Sequence, residues 1–578
     1  MQFLTEFSKQ VWETKYRAHD SAAVFDKTIE DTWRRVASAL STIESTPEYW
    51  GDEFYHCIEG FEFLPGGRIL ATAGTKNRAT LFNCFVMGKI EDSMDGIFDA
   101  LKEGALTMQQ GGGVGYDFST LRPKGTPAHA TGRIASGPVS FMRIWNTMCA
   151  TILTTGARRG AMMATLRCDH PDIYDFVRAK SKSARDLNHF NLSVLATDDF
   201  VKAVRNDAKW QLSFQHDGAG EDEAPNSIKQ VRARELWQDI MECTYKSAEP
   251  GILFIDRINR ENNIWYVENI SATNPCGEIP LPQYGACDLG SINLVNFVNE
   301  PFTTEAEFDF ERLAGNIPTY VRLLDNVIDV SNFPLVAQRE QAQRTRRIGL
   351  GVTGLGDALA MLGLNYRSQE ARDWAAKLMK LIRDNAYEAS IELSREKGPF
   401  PLFNKEKYLR GEFIKRLPER IRAGIVEFGI RNSHLLAIAP TGTISLLANN
   451  ISSGIEPIFS PGFHRRVLQV DGTYLEYDVV DYAVAQWRRK HGIESEEAGL
   501  LSSEFVFAHD IEPEEHLLMQ AALQPYVDNS ISKTINVAED TPFERFSDIY
   551  SRAYDLGLKG CTTFRNNPVT GSILTTNS

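Results

Sequence analysis

The 578-residue sequence contains little cysteine and histidine, and its charge balance is negative. Eight cysteines in so long a chain are too few for a disulfide scaffold, which favours a reducing, cytoplasmic setting. No two cysteines have the CxxC spacing and the eleven histidines form no HExxH motif, so the sequence predicts no metal site. The formal net charge of -14 argues against non-specific nucleic-acid binding, because such binding needs many cations against the phosphates.

Long apolar runs are also missing. Charged residues interrupt the segment from Met1 to Tyr16, so it lacks the apolar core of a secretory signal, and no stretch is long enough to span a membrane. Hydrophobic residues make up 43% and charged residues 24%, as is usual for globular enzymes. The composition therefore predicts an enzyme-sized protein that binds neither membrane nor nucleic acid.

Periodicity divides the chain into two parts. Residues 1–60 carry apolar residues at helical spacing and predict an N-terminal helical region. Residues 61–578 alternate short apolar runs, such as Leu192–Leu195 and Ile252–Ile255, with helical stretches such as Gln369–Glu396. This alternation predicts a large α/β catalytic domain with a C-terminal segment.

Two glycine-rich segments have ambiguous patterns. Gly111–Gly115 is compatible with a phosphate-binding loop or with a tight turn packed against a neighbour. Gly349–Gly354 matches the dinucleotide fingerprint, but the polar run Arg344–Arg347 precedes it instead of an apolar strand. We interpret the second segment as a close-packed turn that opens a helix over Leu355–Leu362.

A third small-residue turn is the better candidate for binding phosphate. The apolar run Leu435–Ala439 leads directly into this turn and predicts a strand–turn–helix unit, which presents amides, hydroxyls and a helix dipole to an anion. An N-cap role for Thr441 or Thr443 is compatible with that function. The residues predicted to bind phosphate are Pro440, Thr441, Gly442, Thr443, Ile444 and Ser445.

The densest chemistry lies in the segment Asn274–Leu281. Asn274, Cys276 and Glu278 alternate along it, and alternate residues of an extended segment share one face. Pro275 and Pro280 argue against a helix, so we predict a loop that points all three side chains at one substrate. Four other cysteines are interpreted as small buried hydrophobic residues: Cys57, Cys149, Cys168 and Cys243.

Taken together, the motifs resemble ribonucleotide reductases, specifically the adenosylcobalamin-dependent class. The segment Asn274–Leu281 and the later segment Cys287–Leu294 are similar to that class's active-site loop and following strand. The resemblance covers roughly residues 60 to 565 in order. Its other strings are Leu64–Arg68, Gly111–Pro123, Arg158–Ala161, Pro440–Ser445, Asp528–Thr534 and Gly557–Arg565.

The resemblance implies a ten-stranded α/β barrel made of two five-stranded parallel halves, with a finger loop that carries a radical cysteine into its centre. Cys276 matches that thiyl-radical residue, Glu278 the general base on the 3′-hydroxyl, and Asn274 a hydrogen-bond partner of the sugar. Cys84 and Cys287 match the pair that supplies two electrons by forming a disulfide. The implied activity is reduction of ribonucleotides to 2′-deoxyribonucleotides.

The radical source follows from a missing motif. Reductases that receive their radical from a partner subunit relay it through adjacent tyrosines near the C-terminus, and this chain has no Tyr-Tyr pair, only Phe564 in that region. The resemblance therefore implies adenosylcobalamin as the cofactor. Two alternatives stay open: the large chain of a partner-dependent reductase that uses another relay, and a catalytically inert nucleotide-sensing relative.

Regulation and re-reduction are also implied by the resemblance. A homodimer would bind a deoxynucleoside triphosphate effector near Asp92, Arg158 and Arg159. A regulatory nucleotide-binding cone is not recognisable before the barrel, and a C-terminal cysteine pair is not recognisable after it. We interpret the late Cys561 as structural. Either the sequence is part of a longer chain, or an external thiol reductant, such as a thioredoxin-like protein, reduces the Cys84–Cys287 disulfide directly.

Overall fold

The computed structural model describes residues 3–20, 23–77, 79–128, 133–152, 161–181, 186–215, 227–468, 474–493, 501–565 and 575–576. It is a mixed α/β structure with one large sheet and many helices, as the alternating pattern predicts. None of the helices in these ranges is both long enough and apolar enough to cross a membrane.

Three helices form most of the N-terminal region: α1 (Glu6–Lys15), α2 (Ile29–Ser41) and α3 (Pro47–Ile58). Each start follows from local sequence. Thr5 caps α1 by accepting from the Ser8 amide, Thr28 forms a capping box with Asp31 at the start of α2, and Pro47 occupies the first turn of α3. The inner face of α2 is buried, which attaches the region to the rest of the molecule.

Ten strands form the main sheet. They are β1 (Phe63–Pro65), β2 (Cys84–Val86), β3 (Gly113–Asp117), β4 (Met162–Arg167), β5 (Phe190–Ala196), β6 (Gly251–Phe254), β7 (Ala286–Asn293), β8 (Ile348–Thr353), β9 (Thr534–Val537) and β10 (Gly560–Arg565). The hydrogen-bonded order is β8-β7-β2-β3-β4-β5-β6-β10-β9, and β1 pairs with β7 off this path.

The sheet contains a run of five parallel strands, β2 through β6. β7 and β10 flank this run and are antiparallel to it, while β8 is parallel to β7 and β9 is parallel to β10. Several of these strands are almost wholly buried, as is usual for parallel strands with covered faces.

The apolar run Leu435–Ala439 lies beside the outer strand β8 and beside the residues that precede the outer strand β9. It forms isolated parallel bridges, Leu350 with Leu436 and Ile438 with Ile531, instead of the regular strand expected from its sequence. Asp528 holds its start, because the carboxylate accepts from the amides of Leu435 and Leu436 at 2.8 Å each. The run thus connects β8 to the residues just before β9.

The helices that matter for the site or its surroundings are α4 (Met94–Gln109), α5 (Pro138–Ile152), α6 (Phe310–Val330), α7 (Gln369–Lys397), α8 (Gly442–Leu447), α9 (Pro513–Leu523) and α10 (Phe543–Asp555). The predicted helix Gln369–Glu396 corresponds to α7. The remaining α-helices are Gly67–Thr72, Ile173–Val177, Asp198–Arg205, Ala233–Ser247, Ile255–Arg260, Val336–Thr345, Leu355–Met361, Lys405–Tyr408, Glu412–Lys415, Glu419–Phe428 and Tyr482–His491.

The remaining strands are short pairs and hairpins outside the main sheet. They are His19–Asp20, Ala23–Val24, Pro127–Ala128, Arg133–Ile134, Lys209–Phe214, Ser227–Arg232, Ala272–Thr273, Pro280–Leu281, Val298–Asn299, Glu307–Phe308, Gly462–Leu468, Tyr474–Val480 and Thr575–Thr576.

Both ambiguous glycine segments are resolved by the fold. Gly113 and Gly115 belong to β3, and a Cβ at Gly115 would lie 2.0 Å from the Thr273 carbonyl oxygen, so close packing explains these glycines. The interpretation of Gly349–Gly354 as a turn is wrong for most of its length: residues 348–353 form β8, and only Gly354 precedes the helix. A Cβ at Gly351 would lie 2.3 Å from the Ala437 carbonyl oxygen, so this glycine allows the neighbouring run to approach.

Candidate active site

Cys276 lies at the tip of a hairpin whose stem contacts strands β2, β3 and β4 of the main sheet. The two-residue strands Ala272–Thr273 and Pro280–Leu281 pair antiparallel and form the stem, and Gly277 adopts φ +84° at the turn. The Asn274 side chain stabilises the loop from within, because its Oδ1 accepts from the Ile279 amide at 3.0 Å. Of the eight cysteines, all held as thiols, Cys276 is exposed and the other seven are buried.

Two hydrogen bonds attach the hairpin tip to the surrounding wall. Asn191 on β5 donates from Nδ2 to the Pro275 carbonyl at 2.7 Å, and the Ser530 amide donates to the Glu278 carbonyl at 2.9 Å. Ser530 precedes β9, so the tip is held from two separate parts of the sheet. Asn191 is a site residue that the sequence did not identify, since nothing in its local pattern refers to Cys276.

Asn274 and Glu278 are buried, and both contact Cys84. Asn274 Nδ2 donates to the Cys84 sulfur at 3.1 Å, and the Cys84 thiol donates to Glu278 Oε1 at 3.8 Å. Alternation along the loop predicted one shared face for Asn274, Cys276 and Glu278. The structure brings two of the three to Cys84, while Cys276 lies exposed at the tip.

Cys84 and Cys287 are direct neighbours across two antiparallel strands. They are register partners on β2 and β7 although 203 positions separate them in sequence. Residues opposite each other in such a ladder have Cα atoms about 4.5–5.5 Å apart, which is within the range that a disulfide requires. Burial raises the pKa of Cys287 well above its ordinary value, so the reduced site holds a protonated thiol there.

The predicted phosphate-binding turn lies at the start of α8. Thr441 adopts a left-handed conformation, and its hydroxyl accepts from the Gly454 amide at 2.8 Å, so its side chain does not cap the helix. Ser445 pairs with Ser453 through their hydroxyls at 3.0 Å. The backbone amides in the first turn of α8 therefore receive no side-chain cap from Thr441. The loop that contains Ser453 and Gly454 lies beside this turn.

One large cavity is lined by the hairpin tip and by the predicted phosphate-binding turn, whereas Asn274, Glu278, Cys84 and Cys287 are not among the described residues that line it. Its volume is about 1910 Å³, larger than the roughly 300–1,000 Å³ of usual small-molecule sites. Cys276, Pro440, Gly442 and Ser445 line it, together with residues of β5, β6, β9 and β10. Phe564 also lines the wall, whereas no tyrosine is among the described residues that do so.

Cys561 is buried on β10, and it is also among the residues that line the cavity. It lies on β10 with Thr563 on the same strand face, and the Thr563 hydroxyl is 3.0 Å from the Tyr550 hydroxyl of α10. Its pKa is raised by burial. This surrounding favours the interpretation of Cys561 as a structural residue.

The predicted effector residues are only partly described. The Asp92 carboxylate accepts from Arg122 Nε at 2.7 Å, an ion pair that joins the residues before α4 to the segment after β3. Arg158 and Arg159 lie outside the described residues. Arg122 is a basic neighbour of Asp92 that the sequence did not identify.

Exposure predicts how the thiols react. When the folded chain is treated with a limiting amount of iodoacetamide, we expect Cys276 to be alkylated first, because the other seven cysteines are buried and burial raises the pKa of Cys168 to about 12. Peptide mass spectrometry after brief labelling measures the order. Labelling of all cysteines at similar rates would contradict the arrangement.

Comparison with known proteins supplies the context for this geometry. Two family models match the chain: "Ribonucleotide reductase, barrel domain" over residues 82–564 and "Ribonucleotide reductase, all-alpha domain" over residues 2–78. Among curated proteins, a vitamin B12-dependent ribonucleoside-diphosphate reductase of Thermoplasma acidophilum is 38% identical over 95% of this chain and 69% of its own length.

Two further relatives extend the comparison. A vitamin B12-dependent ribonucleoside-diphosphate reductase of Mycobacterium tuberculosis strain H37Rv is 36% identical over 98% of this chain and 78% of its own length. A ribonucleoside-diphosphate reductase subunit alpha of Chlamydia muridarum is more distant, at 26% identity over 96% of this chain and 58% of its own length.

Proposed function

The chain belongs to the ribonucleotide reductase family, and we propose that it reduces ribonucleoside diphosphates to 2′-deoxyribonucleotides with adenosylcobalamin as its radical source. The observation that carries the proposal is the exposed Cys276 at a hairpin tip inside a large cavity, with Cys84 and Cys287 paired nearby. The names of the two relatives above 35% identity support the cofactor and the diphosphate substrate.

The cavity suits a large cofactor together with a nucleotide. Its volume exceeds that of usual ligand sites, and small residues such as Ser193, Gly251, Gly560 and Thr562 line the wall near Phe564. Adenosylcobalamin, when bound, supplies a carbon-centred radical by homolysis of its cobalt–carbon bond. The cavity-facing side chains on β5, β6 and β10 are those placed to hold it.

In the proposed mechanism, the protein's own residues move hydrogen, protons and electrons. Cys276 gives up its sulfur hydrogen atom and then takes the 3′-hydrogen of the ribose. Glu278 accepts the proton of the 3′-hydroxyl, and Asn274 hydrogen-bonds the sugar. The 2′-hydroxyl leaves as water, and Cys84 and Cys287 supply two electrons and two protons as they form a disulfide. Cys276 returns its hydrogen to C3′, and Glu278 returns the proton to the 3′-oxygen.

We propose that the substrate phosphates bind the turn Pro440–Ser445. One support is that residues of this turn line the cavity wall. A second is that the Thr441 hydroxyl accepts from the Gly454 amide, so it does not cap the backbone amides in the first turn of α8. The neighbouring hydroxyls of Ser445 and Ser453 add donors at the same place.

The finer architecture is also proposed. We place residues 1–60 in a helical region and 61–578 in a ten-stranded α/β barrel with a central finger loop. The five parallel strands β2–β6 would form one half. The other half would consist of the strands β7–β10 and the run Leu435–Ala439. This run is bridged to Leu350 on β8 and to Ile531, which precedes β9.

A homodimer with an effector site is supported by an exposed apolar surface. On α4, Met94, Phe98 and Leu106 have exposed fractions of 59%, 45% and 40%, and Ile134 before the neighbouring α5 is 73% exposed. Met94 and Phe98 lie one turn apart on α4, and exposed apolar patches are typical of subunit interfaces. Asp92 lies just before α4, and Arg122 is its ion-pair partner. The effector would therefore bind beside this surface, with Arg158 and Arg159 as further contacts. A thioredoxin-like protein in a reducing cytoplasm is the proposed reductant.

The assay that tests the proposed function contains the purified chain, each ribonucleoside diphosphate, adenosylcobalamin and a small dithiol, with and without deoxynucleoside triphosphates. Deoxynucleotide formation that requires the cofactor, with no second protein, is expected. Product formation that instead needs a second protein would identify a partner-dependent reductase, and no product under either condition would favour an inert relative.

Asn191 provides a test of how the finger loop is positioned. Replacing Asn191 with alanine removes the bond to the Pro275 carbonyl, and we expect kcat to fall about 10- to 100-fold with KM little changed, because small displacements of a reacting group are costly. The alkylation rate of Cys276 should change in parallel. Steady-state kinetics and peptide labelling measure the two effects.

The matched control is Asn188→Ala, since Asn188 lines the same cavity but its side chain bonds Asn146 instead of the finger loop. Equal losses of kcat in both variants, or an Asn191 variant with unaltered kcat and labelling, would contradict the positioning role.

A further inference from the structure

The first three residues of β5 extend beyond the neighbouring strand β6. The parallel ladder between the two strands begins at the pair Ser193–Gly251, three residues after β5 starts. The backbone groups of β5 that face this gap need other partners, because unpaired buried amides and carbonyls are costly. The stretch contains Asn191, whose side chain holds the finger loop at the Pro275 carbonyl. What fills the gap therefore also affects the residue that holds the loop.

An ion pair between Lys180 and Glu249 occupies the gap. Lys180 Nζ donates to the Phe190 carbonyl and, at 2.8 Å, to Glu249 Oε1. The second oxygen of the same carboxylate, Oε2, accepts from the Leu192 amide at 3.0 Å. The pair thus bonds the backbone on both sides of Asn191 and takes the place of a strand partner there.

Both charged residues line the cavity that contains Cys276, and Lys180 is only 8% exposed. Their hydrogen bonds are made to each other and to β5, since each oxygen of Glu249 already accepts from one of these donors. Burying two charges costs desolvation energy that their mutual attraction only partly offsets. Stability alone is therefore a weak reason for a charged pair at this place, and control of the strand position is a better one.

We propose that Lys180 and Glu249 are positioning residues for the radical thiol. They fix the backbone on both sides of Asn191, the Asn191 amide fixes the Pro275 carbonyl, and Cys276 is the next residue. Neither charged residue contacts substrate or cofactor in this role. The inference rests on the proposed function, since it assumes that the position of Cys276 limits turnover.

Lys180→Met tests the role, because methionine keeps an unbranched side chain and removes both ammonium bonds. Desolvation by burial already raises the pKa of Glu249, so its carboxyl can take up a proton once the ammonium is gone. We expect kcat to fall about 3- to 10-fold, since small displacements of a reacting group are costly. The KM for a ribonucleoside diphosphate and the dissociation constant for hydroxocobalamin should stay unchanged. Steady-state kinetics and equilibrium dialysis measure these quantities.

Hydrogen exchange of the finger loop tests the same path without turnover. In the absence of substrate and cofactor, peptides that cover residues 272–281 should exchange faster in Asn191→Ala and in Lys180→Met than in the unaltered chain. The double variant should exchange no faster, and turn over no more slowly, than Asn191→Ala alone. The reason is that the effect of Lys180 passes through the Asn191 bond, so the two substitutions are not additive.

Lys397→Met is the matched control. Lys397 also pairs with a buried glutamate, Glu44, at 2.7 Å and donates to a second oxygen, Asn326 Oδ1, at 3.1 Å. It is not among the described residues that line the cavity, so its kcat and finger-loop exchange should match those of the unaltered chain. If Lys180→Met folds poorly, the double variant Lys180→Met/Glu249→Gln removes both charges together and enters the same comparison with Asn191→Ala.

The outcomes separate the inference from the proposed function. Additive effects of Lys180→Met and Asn191→Ala, or equal effects of Lys180→Met and Lys397→Met, would overturn the positioning role. A raised KM or weaker hydroxocobalamin binding in Lys180→Met would overturn it as well, because it would show direct contact with a ligand. Absence of deoxynucleotide formation by the unaltered chain would overturn the proposed function, and the exchange measurements would still decide whether the pair positions the loop.

Discussion

Replacing Cys276 with serine is expected to abolish deoxynucleotide formation, with a loss on the order of a thousandfold or more, equivalent to at least about 4 kcal/mol of transition-state stabilisation. A thiol gives up its hydrogen atom to a carbon radical readily, whereas the O–H bond of serine is too strong for that exchange. Cys276 is exposed at the hairpin tip, whereas the other seven cysteines are buried. No second exposed thiol could therefore take over its role. Product formation with adenosylcobalamin and a dithiol measures the loss.

The serine variant should still bind substrate and cofactor, because the substitution changes one atom at an exposed tip. Equilibrium dialysis with a ribonucleoside diphosphate and with hydroxocobalamin provides this control. A variant that binds both ligands and turns over at the original rate would rule out Cys276 as the radical carrier. A variant that binds neither would show a folding defect, in which case Cys276→Ala with the same binding assays decides the question.

The second large effect concerns Cys84 and Cys287. Replacing either with serine should end repeated turnover, because a single remaining thiol cannot supply two electrons by disulfide formation. The ladder register, which places the two residues directly opposite each other on β2 and β7, is the physical basis for expecting a disulfide between them. The unaltered chain, assayed without added dithiol, should therefore form a single equivalent of deoxynucleotide and then stop.

Peptide mapping after that single turnover should find Cys84 linked to Cys287. Cys149→Ser is the control, since Cys149 is a buried cysteine on α5 outside the cavity wall, and its turnover should be retained. Continued turnover of the Cys84 or Cys287 variants with dithiol, or a disulfide that joins a different pair, would show that the electrons come from elsewhere.

The family resemblance and the activity it implies are confirmed by the comparisons, and the mixed α/β class is confirmed by the structure. The closed ten-stranded barrel and the roles of individual site residues stay predictions. Cys276, Asn274 and Glu278 could be identified from sequence because they occur together in one short segment that contains Pro275 and ends at Pro280. Strict alternation did not predict their orientation correctly. The tight turn at Gly277 leaves Cys276 exposed, whereas Asn274 and Glu278 are buried and contact Cys84.

Residues that act at a distance along the chain were not accessible to pattern analysis. Asn191 contacts a residue 84 positions away. Arg122 pairs with a carboxylate 30 positions away. In each case the local sequence is unremarkable, and only the folded contact defines the role.

Local sequence alone determined the elements whose physics is local: helix starts at Thr5, Thr28 and Pro47, the break at Gly277, and the thiol-bearing segment around Cys276. Tertiary structure decided what depends on pairing. It made β8 a strand where the glycine pattern predicted a turn. The glycines of β8 lack Cβ atoms, and this allows the run Leu435–Ala439 to pack against the strand. It also placed Cys84 opposite Cys287, because strand register is set by the packing of whole sheets and not by the residues between the partners.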